Sequence, residues 1–380
     1  MTTKIILLPF LAAFCAVIGA GEDEKFVSLF NGKDLTGWVN ANCAPETWTV
    51  QDGLIHCTGV PTGALRTDRQ YENFILEVEW RHLKSGGNSG VFIWGSPMSP
   101  VGVPFLRGIE VQVLDDGFNV KGKNEWYTTQ GDIFPIHGAT MKPVGRVSKN
   151  GQRSFPTEDR TKPSPEWNHY HIECNNGTIR LHINGKQVSG GDECNYRKGY
   201  LALESEGAPV EFRNIRIREL PTTNTPPELT APLDLGFRPL YTGLDLRNWK
   251  TEEAHKDHWI AKDFVLEHDG KSGVNLVSEK EFGDIQLIVD WRTKGEPKST
   301  QAPGLLLRGK AMPAIERKDK PGTWNRYLVT IKGDRVTVAL NDTTVIDAVQ
   351  IPGLPTRGTI GLEAGTDLVQ YTNIFVRPLE

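Results

Sequence analysis

The sequence has little of what marks several large protein classes. After residue 20, no apolar run approaches the ~20 residues that a helix needs to span a bilayer, and no 12-residue window carries a strong helical stripe. With 38% hydrophobic and 24% charged residues, the composition is that of neither a collagen nor a disordered polymer. We therefore exclude a membrane transporter, a coiled coil, a collagen and a disordered chain.

An excess of basic charge, as found in proteins that bind nucleic acid, is also absent. The formal net charge is −4, and residues of both signs are mixed along the chain. The glycine-rich stretch 86–90 lacks the following helix and the Lys-Ser/Thr pair of a phosphate-binding loop. We expect neither nucleic acid nor a nucleotide as a partner.

The sequence does have the features of a turn-rich β protein, with 39 glycines and 24 prolines. Apolar and polar residues alternate cleanly along 74–81, as in a strand with one buried face. Asn176-Gly177 and Asn184-Gly185 each separate two such runs and predict hairpin turns. About a dozen short strands in roughly 190 residues predict an all-β fold, a two-sheet sandwich or jelly roll.

The N-terminus has the pattern of an export signal. Lys4 precedes a short apolar core that ends in Gly19-Ala20, so residues 1–20 are predicted to be a signal peptide cut after Ala20. Phe14 is too large for the position before a lipidated Cys15, so we predict a secreted or periplasmic protein without a lipid anchor. The four remaining cysteines form an even set and predict two disulfides, most simply Cys43–Cys57 and Cys174–Cys194 among three connectivities.

The chain repeats itself once. Three tryptophan pairs lie 211 residues apart: 38/249, 48/259 and 80/291. These recurrences predict two copies, residues 26–220 and 237–380, joined by a Pro/Thr linker at 221–236. The offset falls to 157 at Trp167 and Trp324, so the second copy is shorter, mostly through loss of residues between Gly95 and Trp167.

An ordered set of short motifs runs through the first copy: Phe30–Trp38, Asn88–Phe92, Gly108–Asp116, Glu166–Asn168, Asn184–Gly185 and Arg213–Ile215. Together they resemble the 3-keto-disaccharide hydrolase domain family. The resemblance implies two tandem concanavalin A-like lectin/glucanase jelly rolls that are exported. It also implies activity on sugars whose C3 hydroxyl is oxidised to a ketone, since members are described as 3-keto-glucoside lyases and 3-keto-glucal hydratases.

The stretch 110–116 has the strongest candidate constellation. Strand alternation places Glu110 and Gln112 on one face, and a bulge after Val113 would return Asp115 to it. The spacing resembles the Glu-x-Asp-x-x-Glu strand of laminarinase-type glucanases. This chain has Gln112 for the middle Asp and the shorter Asp115 for the last Glu, so ordinary glycan hydrolysis by two carboxyls is disfavoured. The alternative is a solvated strand edge.

Cleavage of a 3-keto glycoside needs other catalytic groups than a pair of carboxyls. The ketone acidifies the C2 proton, so elimination needs a general base, an acid for the leaving oxygen and hydrogen-bond donors for the enolate oxygen. We consider Glu110 or His137 as the base, although a loop histidine such as His137 is more often simply exposed. Asp115 or Asp116 is the candidate acid or its helper. Candidate donors to the keto oxygen are Gln112, Arg66 and Asn88.

Aromatic residues near this stretch are candidates for stacking on a sugar ring. Trp94, Trp126 and Tyr127 are the best of them. Trp94 stands where the family often has a basic residue, and the second copy has Arg308 there. Asp115, Asp116 and Asn119 offer oxygens for Ca²⁺, but three oxygens do not define a site, and no HExxH spacing exists. We therefore predict no metal and no cofactor.

The second copy lacks the insertion that holds these residues. The stretch 314–317 is the expected remnant of the Glu110 strand, and nothing matches Gln112, Asp115 or His137. Any activity is therefore predicted in the first copy. Two hypotheses stay open: an enzyme that cleaves 3-keto-glycosides, and a non-catalytic, lectin-like protein that binds carbohydrate. Carboxyls within reach of a bound sugar favour the enzyme, whereas aromatics and amides without them favour the lectin.

Overall fold

The computed structural model describes residues 25–118, 122–271 and 273–379. The predicted signal peptide and Asn119 lie outside these residues. Nearly all regular structure in the described ranges is β-strand, and no helix there is long and apolar enough to cross a membrane. Three short 3₁₀ helices accompany the strands: Pro45–Thr47, Pro227–Leu229 and Glu253–His255.

The strands of the described N-terminal part are β1 (Val27–Ser28), β2 (Trp38–Asn40), β3 (Trp48–Gln51), β4 (Leu54–Cys57), β5 (Gly63–Thr67), β6 (Phe74–His82), β7 (Asn88–Gly95), β8 (Gly108–Leu114), β9 (Ile133–Ile136), β10 (Thr140–Val144), β11 (Arg146–Val147), β12 (Ser154–Phe155), β13 (Asn168–Asn175), β14 (Thr178–Ile183), β15 (Lys186–Asn195), β16 (Tyr200–Ser205) and β17 (Val210–Glu219).

The remaining described strands are β18 (Arg238–Pro239), β19 (Trp249–Lys250), β20 (Trp259–Lys262), β21 (Val265–His268), β22 (Leu276–Phe282), β23 (Ile285–Thr293), β24 (Leu305–Leu307), β25 (Lys310–Ala311), β26 (Asn325–Lys332), β27 (Arg335–Leu340), β28 (Thr343–Gln350), β29 (Gly358–Leu362) and β30 (Val369–Pro378).

These strands form four sheets, and no sheet among the described residues mixes strands from before and after the linker. We call Val27–Glu219 the N-terminal unit and Arg238–Pro378 the C-terminal unit. In the N-terminal unit the back sheet has the order β10-β15-β14-β13-β6-β17-β4-β3, with β1 on β17, and the front sheet has the order β11-β12-β9-β8-β7-β16-β5-β2. The C-terminal unit pairs an eight-stranded back sheet with a five-stranded front sheet.

Alternation along the strands explains why two sheets stack. In β6, Leu76, Val78 and Trp80 point into the N-terminal core, while the residues between them face outward. In the front sheet, Val91 and Val111 fill the same core from the other side. Burial of one face of each sheet is the main stabilising term of such a sandwich. The predicted all-β fold of two concanavalin A-like jelly rolls is thereby confirmed.

The predicted hairpins are also present. Asn176 and Asn184 both adopt positive φ and begin the tight turns that join β13 to β14 and β14 to β15. Asparagine tolerates this left-handed conformation better than most residues, and glycine follows it in each turn. The Asn-Gly signals therefore set the register of the back sheet.

The four described cysteines correct a prediction. Cys43, Cys57, Cys174 and Cys194 are all buried free thiols, so neither predicted disulfide is present. Each side chain packs in the core as a small apolar group, and burial raises the pKa of Cys57 to about 11. The even number of cysteines and the expected export of the chain therefore led to a wrong prediction of disulfides.

The two units are in contact. The β7–β8 loop (residues 96–107) reaches the C-terminal back sheet, where Gly102 N donates to Asp290 Oδ2 at 2.9 Å. Arg326 reaches the Ser99 carbonyl at 2.9 Å, and Asn373 reaches that of Val103 at 3.0 Å. The linker lies against the N-terminal unit, since Glu72 accepts hydrogen bonds from residues 222, 223 and 225.

Candidate active site

The candidate site lies on the outer face of the N-terminal front sheet. Antiparallel pairing sets Gly90 of β7 between Gln112 of β8 and Glu204 of β16. One row along the strands, Phe92 pairs with Glu110. Because side chains in register on paired strands share a face, the polar groups of three strands meet here.

Three carboxyls form what we call the acid cluster: Glu110, Glu204 and Glu206. A Cβ added to Gly90 would lie 2.9 Å from Glu110 Oε1 and 3.0 Å from Glu204 Oε2. Both carboxyls therefore lean over the same glycine, whose missing side chain makes the room. Glu206 follows β16 and is half-buried, whereas Glu110 and Glu204 are only 6% and 1% exposed.

Burial dominates the electrostatics of the acid cluster. It raises the pKa of Glu110 to about 8, and the negative charge of Glu206 adds to the effect. Burial also raises the pKa of Glu206 to about 7 and that of Glu204 well above its usual range. Glu204 Oε2 is buried without a hydrogen-bond partner among the described residues. Since like charges resist joint ionisation, the cluster holds protons at neutral pH.

A chain of amides orients the least buried acid. Gln112 Nε2 donates to Asn88 Oδ1 at 2.9 Å, and Asn88 Nδ2 donates in turn to the Glu206 carboxyl. Gln112 is fixed further by the Ser89 carbonyl at 3.1 Å. Both amides line the neighbouring cavity, so they connect the acid cluster to a space in which a ligand can lie.

The cavity beside these amides has a volume of about 580 Å³. Trp126, Tyr127, Phe134 and His137 supply aromatic walls. Arg153 brings the positive charge: its guanidinium lies 3.5 Å from the Phe134 ring centroid and 3.6 Å from Asp132. Apolar walls with a few convergent polar groups are typical of a ligand site.

The structure places the predicted residues Glu110, Gln112 and Asn88 together, with His137, Trp126 and Tyr127 around the adjoining cavity. His137 is exposed, adopts a φ of 49° and stacks on Phe105 with ring centroids 5.9 Å apart. Trp126 is 41% exposed, so a face of its ring is available to a ligand.

Asp115 does not join this group. The pairing of β7 with β8 runs in register from Ile93 to Asn88 without the bulge expected after Val113. The Asp115 carboxylate accepts hydrogen bonds from the backbone of Gly86, Gly117 and Ser164, at 2.7 to 3.1 Å, and these bonds lower its pKa. It closes a loop, so the prediction of Asp115 on the polar face is wrong.

Two predicted substrate ligands are engaged elsewhere. Trp94 is fully buried in the core, packs edge-on against Phe74 and donates to the Glu72 carbonyl at 2.8 Å. Arg66 is also buried: its guanidinium binds Asp234 of the linker at 2.6 Å and the Pro97 carbonyl at 2.9 Å. Neither lies at the cavity, and both predictions are wrong.

Asp116 is exposed and lines a separate recess of about 190 Å³, so it is not within the acid cluster. The described residues give no evident Ca²⁺ site among the predicted oxygens. Backbone hydrogen bonds already engage the carboxylate of Asp115, and Asn119 lies outside the described residues.

The sequence analysis missed Glu204, Glu206 and Arg153. A signal for the first two was present: Glu204 and Glu206 alternate on a strand that carries almost no other charge. Arg153 lies in a loop and has no local signal, since only the packing of the insertion brings it over Phe134.

The same positions can be followed in the C-terminal front sheet. There, Leu306 of β24 pairs with Ala311, as Phe92 pairs with Glu110. Glu363 N donates to the carbonyl of Gly304, so Glu363 takes the place of Glu204. Continuing the register places Pro313 at the position of Gln112 and Glu316 opposite Gln301. The stretch 314–317, expected as the remnant of the Glu110 strand, continues this register, and the position of Glu110 itself is taken by Ala311.

Comparison with known proteins gives a family. The model of the 3-keto-alpha-glucoside-1,2-lyase-like domain matches residues 25–218 and 304–377. A 3-keto-disaccharide hydrolase of Bacteroides thetaiotaomicron is 24% identical over 238 residues, which cover 52% of this chain and 80% of that protein.

Solved structures give weaker likenesses. A putative glycosyl hydrolase from Parabacteroides distasonis is 23% identical, with a TM-score of 0.38 over 53% of this chain and 98% of its own. The Bacillus licheniformis β-glucanase is 13% identical, with a TM-score of 0.32 over 51% of this chain and 97% of its own.

Proposed function

From the premise that the chain belongs to the 3-keto-alpha-glucoside-1,2-lyase-like domain family, we propose that it is an exported enzyme that cleaves 3-keto-glycosides. The family and the curated relative support a carbohydrate-active enzyme. The observation that carries the proposal is the acid cluster beside an aromatic cavity, because elimination needs proton-transfer groups tuned near neutral pH.

The reaction we propose moves one proton to a base and one to a leaving group. Glu206, with the lower pKa of the two, removes the C2 proton of the sugar, and the electron pair moves onto the C3 oxygen as an enolate. As the enolate collapses, the C1–O bond breaks and protonated Glu110 gives its proton to the departing oxygen. Addition of water to the unsaturated 3-keto sugar completes a net hydrolysis.

The enolate oxygen would be stabilised by a positive charge in the cavity, that of Arg153. Arg153 lines the cavity, and its positive charge partly offsets the rise in the pKa of Glu110 that burial and Glu206 cause. A guanidinium aimed at a developing negative charge stabilises the transition state more than the ground state. Trp126 and Tyr127 would stack on the sugar faces.

A non-catalytic lectin remains the competing hypothesis. It requires amides and aromatics without carboxyls in reach of the ligand. The burial of two carboxyls beside the cavity, with raised pKa values, is costly for a protein that only binds sugar. This cost supports the enzyme. We also propose, from the sequence pattern, that residues 1–20 direct export and that the C-terminal unit is a shortened repeat.

The test uses a chromogenic 3-keto-glucoside, with the unoxidised glucoside as the control substrate. We expect release of the chromophore from the keto substrate alone, and its loss in Glu110→Gln and Glu206→Gln. A substrate deuterated at C2 should react several-fold more slowly if proton removal limits the rate. Equal turnover of both glucosides, or binding by calorimetry without any turnover, would contradict the proposal.

A further inference from the structure

A second cluster of ionisable groups lies on the opposite side of the N-terminal sandwich. His171 and Glu173 are two residues apart on β13, and His182 is directly opposite His171 on β14. Tyr170 and Ile172, the two neighbours of His171 on β13, point into the core, so the cluster lies on the outer face of the back sheet. The core of the domain separates it from the acid cluster.

The donor atoms of these three side chains converge. Glu173 Oε1 lies 3.2 Å from His171 Nε2 and 3.5 Å from His182 Nε2, and all three ligand atoms lie within 4.8 Å of one another. Around a tetrahedral Zn²⁺ with bonds of about 2.0–2.1 Å, neighbouring donors are separated by about 3.3 Å. The two separations from Glu173 Oε1 to the histidine nitrogens are therefore close to those in a zinc coordination shell.

A further carboxylate orients the first histidine. Glu77, next to His171 on β6, has Oε1 3.3 Å from His171 Nδ1, and Arg216 holds its other oxygen at 2.6 Å. A carboxylate that accepts the Nδ1 proton leaves Nε2 as a lone pair directed at the metal position. Metal-binding histidines are supported in this way in most known sites.

The described surroundings leave one charge and one ring nitrogen of the cluster without a partner that compensates them. Arg180, the cross-strand partner of Glu173, is engaged by Asp192 at 2.8 Å and does not neutralise Glu173. His182 Nε2 is a buried atom without a hydrogen-bond partner among the described residues. A cation at the centre would satisfy both groups at once.

We propose that His171, Glu173 and His182 form a zinc-binding site, with a fourth position open to water. Two imidazoles and one carboxylate suit Zn²⁺ better than the hard cations Ca²⁺ and Mg²⁺. His169 and His171 lie two residues apart and point to one face of β13, a spacing that a search for HExxH does not detect. The partner of His171 in the site, however, comes from the neighbouring strand.

The bound zinc that we propose acts on stability and not on the glycoside reaction, because the core of the domain separates it from the acid cluster. It ties β13 to β14, and Tyr170 on β13 donates through its hydroxyl to the Gln112 carbonyl at 2.7 Å. Metal binding thus fixes the strand that supports β8 from behind. A ligand that binds only the folded protein raises its stability in proportion to the logarithm of its concentration over Kd.

The experiment uses the full chain without a histidine tag, stripped of metal and titrated with Zn²⁺ by calorimetry. We expect one site per chain, a rise in melting temperature on loading, and the visible absorption of tetrahedral Co²⁺ when cobalt replaces zinc. In His182→Gln and Glu173→Gln, affinity should fall at least tenfold. Glu77→Gln, which keeps a hydrogen-bond acceptor, should weaken binding by about 10- to 100-fold.

Two control variants test the assignment. His258 is also a partly exposed histidine beside a carboxylate, Asp269 at 3.0 Å, but it has no second histidine in its cluster. His258→Gln and His169→Gln should bind Zn²⁺ like the parent. The assignment is overturned if the parent binds no more zinc than His182→Gln, or if either control loses as much affinity as the two ligand variants.

Discussion

The two front sheets have the same local pairing but very different chemistry. Around Gly90 the N-terminal sheet gathers three glutamates and two amides, whereas at Gly304 of the C-terminal sheet the neighbouring carboxyl is that of Glu363. Ala311 and Pro313 stand where Glu110 and Gln112 would be, and Gly365 follows Glu363 where Glu206 follows Glu204.

Both sheets nonetheless have a cavity, of about 580 Å³ in the N-terminal unit and about 430 Å³ in the C-terminal unit. The charge in the second cavity is already paired, because Arg317 binds Asp367 at 2.7 Å. Both sheets thus have a recess, and they differ in the side chains around it, which come in the N-terminal unit from β7, β8 and β16 and from the stretch between β8 and β13.

Matched variants of one glutamate in each unit test most directly whether the two front sheets differ in activity. Glu204→Gln should lower turnover of a 3-keto-glucoside by about a hundredfold or more, since it removes a member of the proton-holding cluster. Glutamine is close in shape to the protonated acid, so the fold should persist. Glu363→Gln should leave kcat/KM unchanged. Steady-state kinetics on both variants measure this, and an equal loss in both would place activity in the C-terminal unit as well.

The paired glycines give a second comparison. Gly90→Ala would push a methyl group against two buried carboxyls, so we expect a loss of about 1–3 kcal/mol in the free energy of unfolding, together with reduced activity. At Gly304 an added Cβ meets Glu363, which is only half-buried and can swing away. Denaturant unfolding of Gly304→Ala should show the smaller loss, with activity retained; the reverse order would contradict the buried geometry.

The pH dependence of stability should also differ between the units. Glu110 keeps its proton up to a pKa of about 8, whereas in the unfolded chain it ionises near 4.5. The folded protein therefore binds more protons than the unfolded chain, and its stability falls as pH rises between these values. Glu110→Gln should remove that part of the slope, gaining stability relative to the parent from about pH 4.5 to 8.

Glu363→Gln is the control for this slope. The pKa of Glu363 is also raised by burial, but its carboxyl is only half-buried, so its variant should change the slope less. Melting temperatures recorded from pH 4 to 9 would show the difference. A parallel displacement of all three curves would contradict the raised pKa of Glu110.

The smallest expected effect concerns the cavity wall. Trp126→Ala should raise KM for the keto substrate by about three- to tenfold with little change in kcat, because stacking contributes roughly 0.5–1.5 kcal/mol. Leu233→Ala changes an even more exposed apolar residue, 70% exposed on the linker, and should have no effect. Kinetics at several substrate concentrations separate KM from kcat, and a fall in kcat alone would argue against a stacking role.

The sequence predicted the strands better than it predicted the site. Alternation and Asn-Gly turns are local signals, so β6 and the β13–β14 hairpin could be identified from neighbouring residues. Glu110 and Gln112 followed from the same alternation, whereas Asn88 was a candidate only as a hydrogen-bond donor. β8 and β16 come together because both pair with β7, although they lie more than 80 residues apart in the chain. No local pattern in the sequence reveals this arrangement.

The errors have physical causes of the same kind. Trp94 lies at the end of an alternating strand, but a positive φ of 53° turns it into the core, and Arg308 has a φ of 49° in the C-terminal unit. Arg66 was a candidate donor to the keto oxygen, yet its guanidinium binds Asp234 of the linker. Each error reflects a contact made by residues distant in the chain.

The β7–β8 loop has a consequence for engineering. It joins the two strands that carry Asn88 and Glu110, and its tip is clamped on Asp290 of the other unit. Gly102 there faces the Trp324 ring with no room for a side chain. A chimera that exchanges the C-terminal unit for another module must therefore reproduce this clamp, since otherwise the graft would leave the strands beneath the site without their distal anchor.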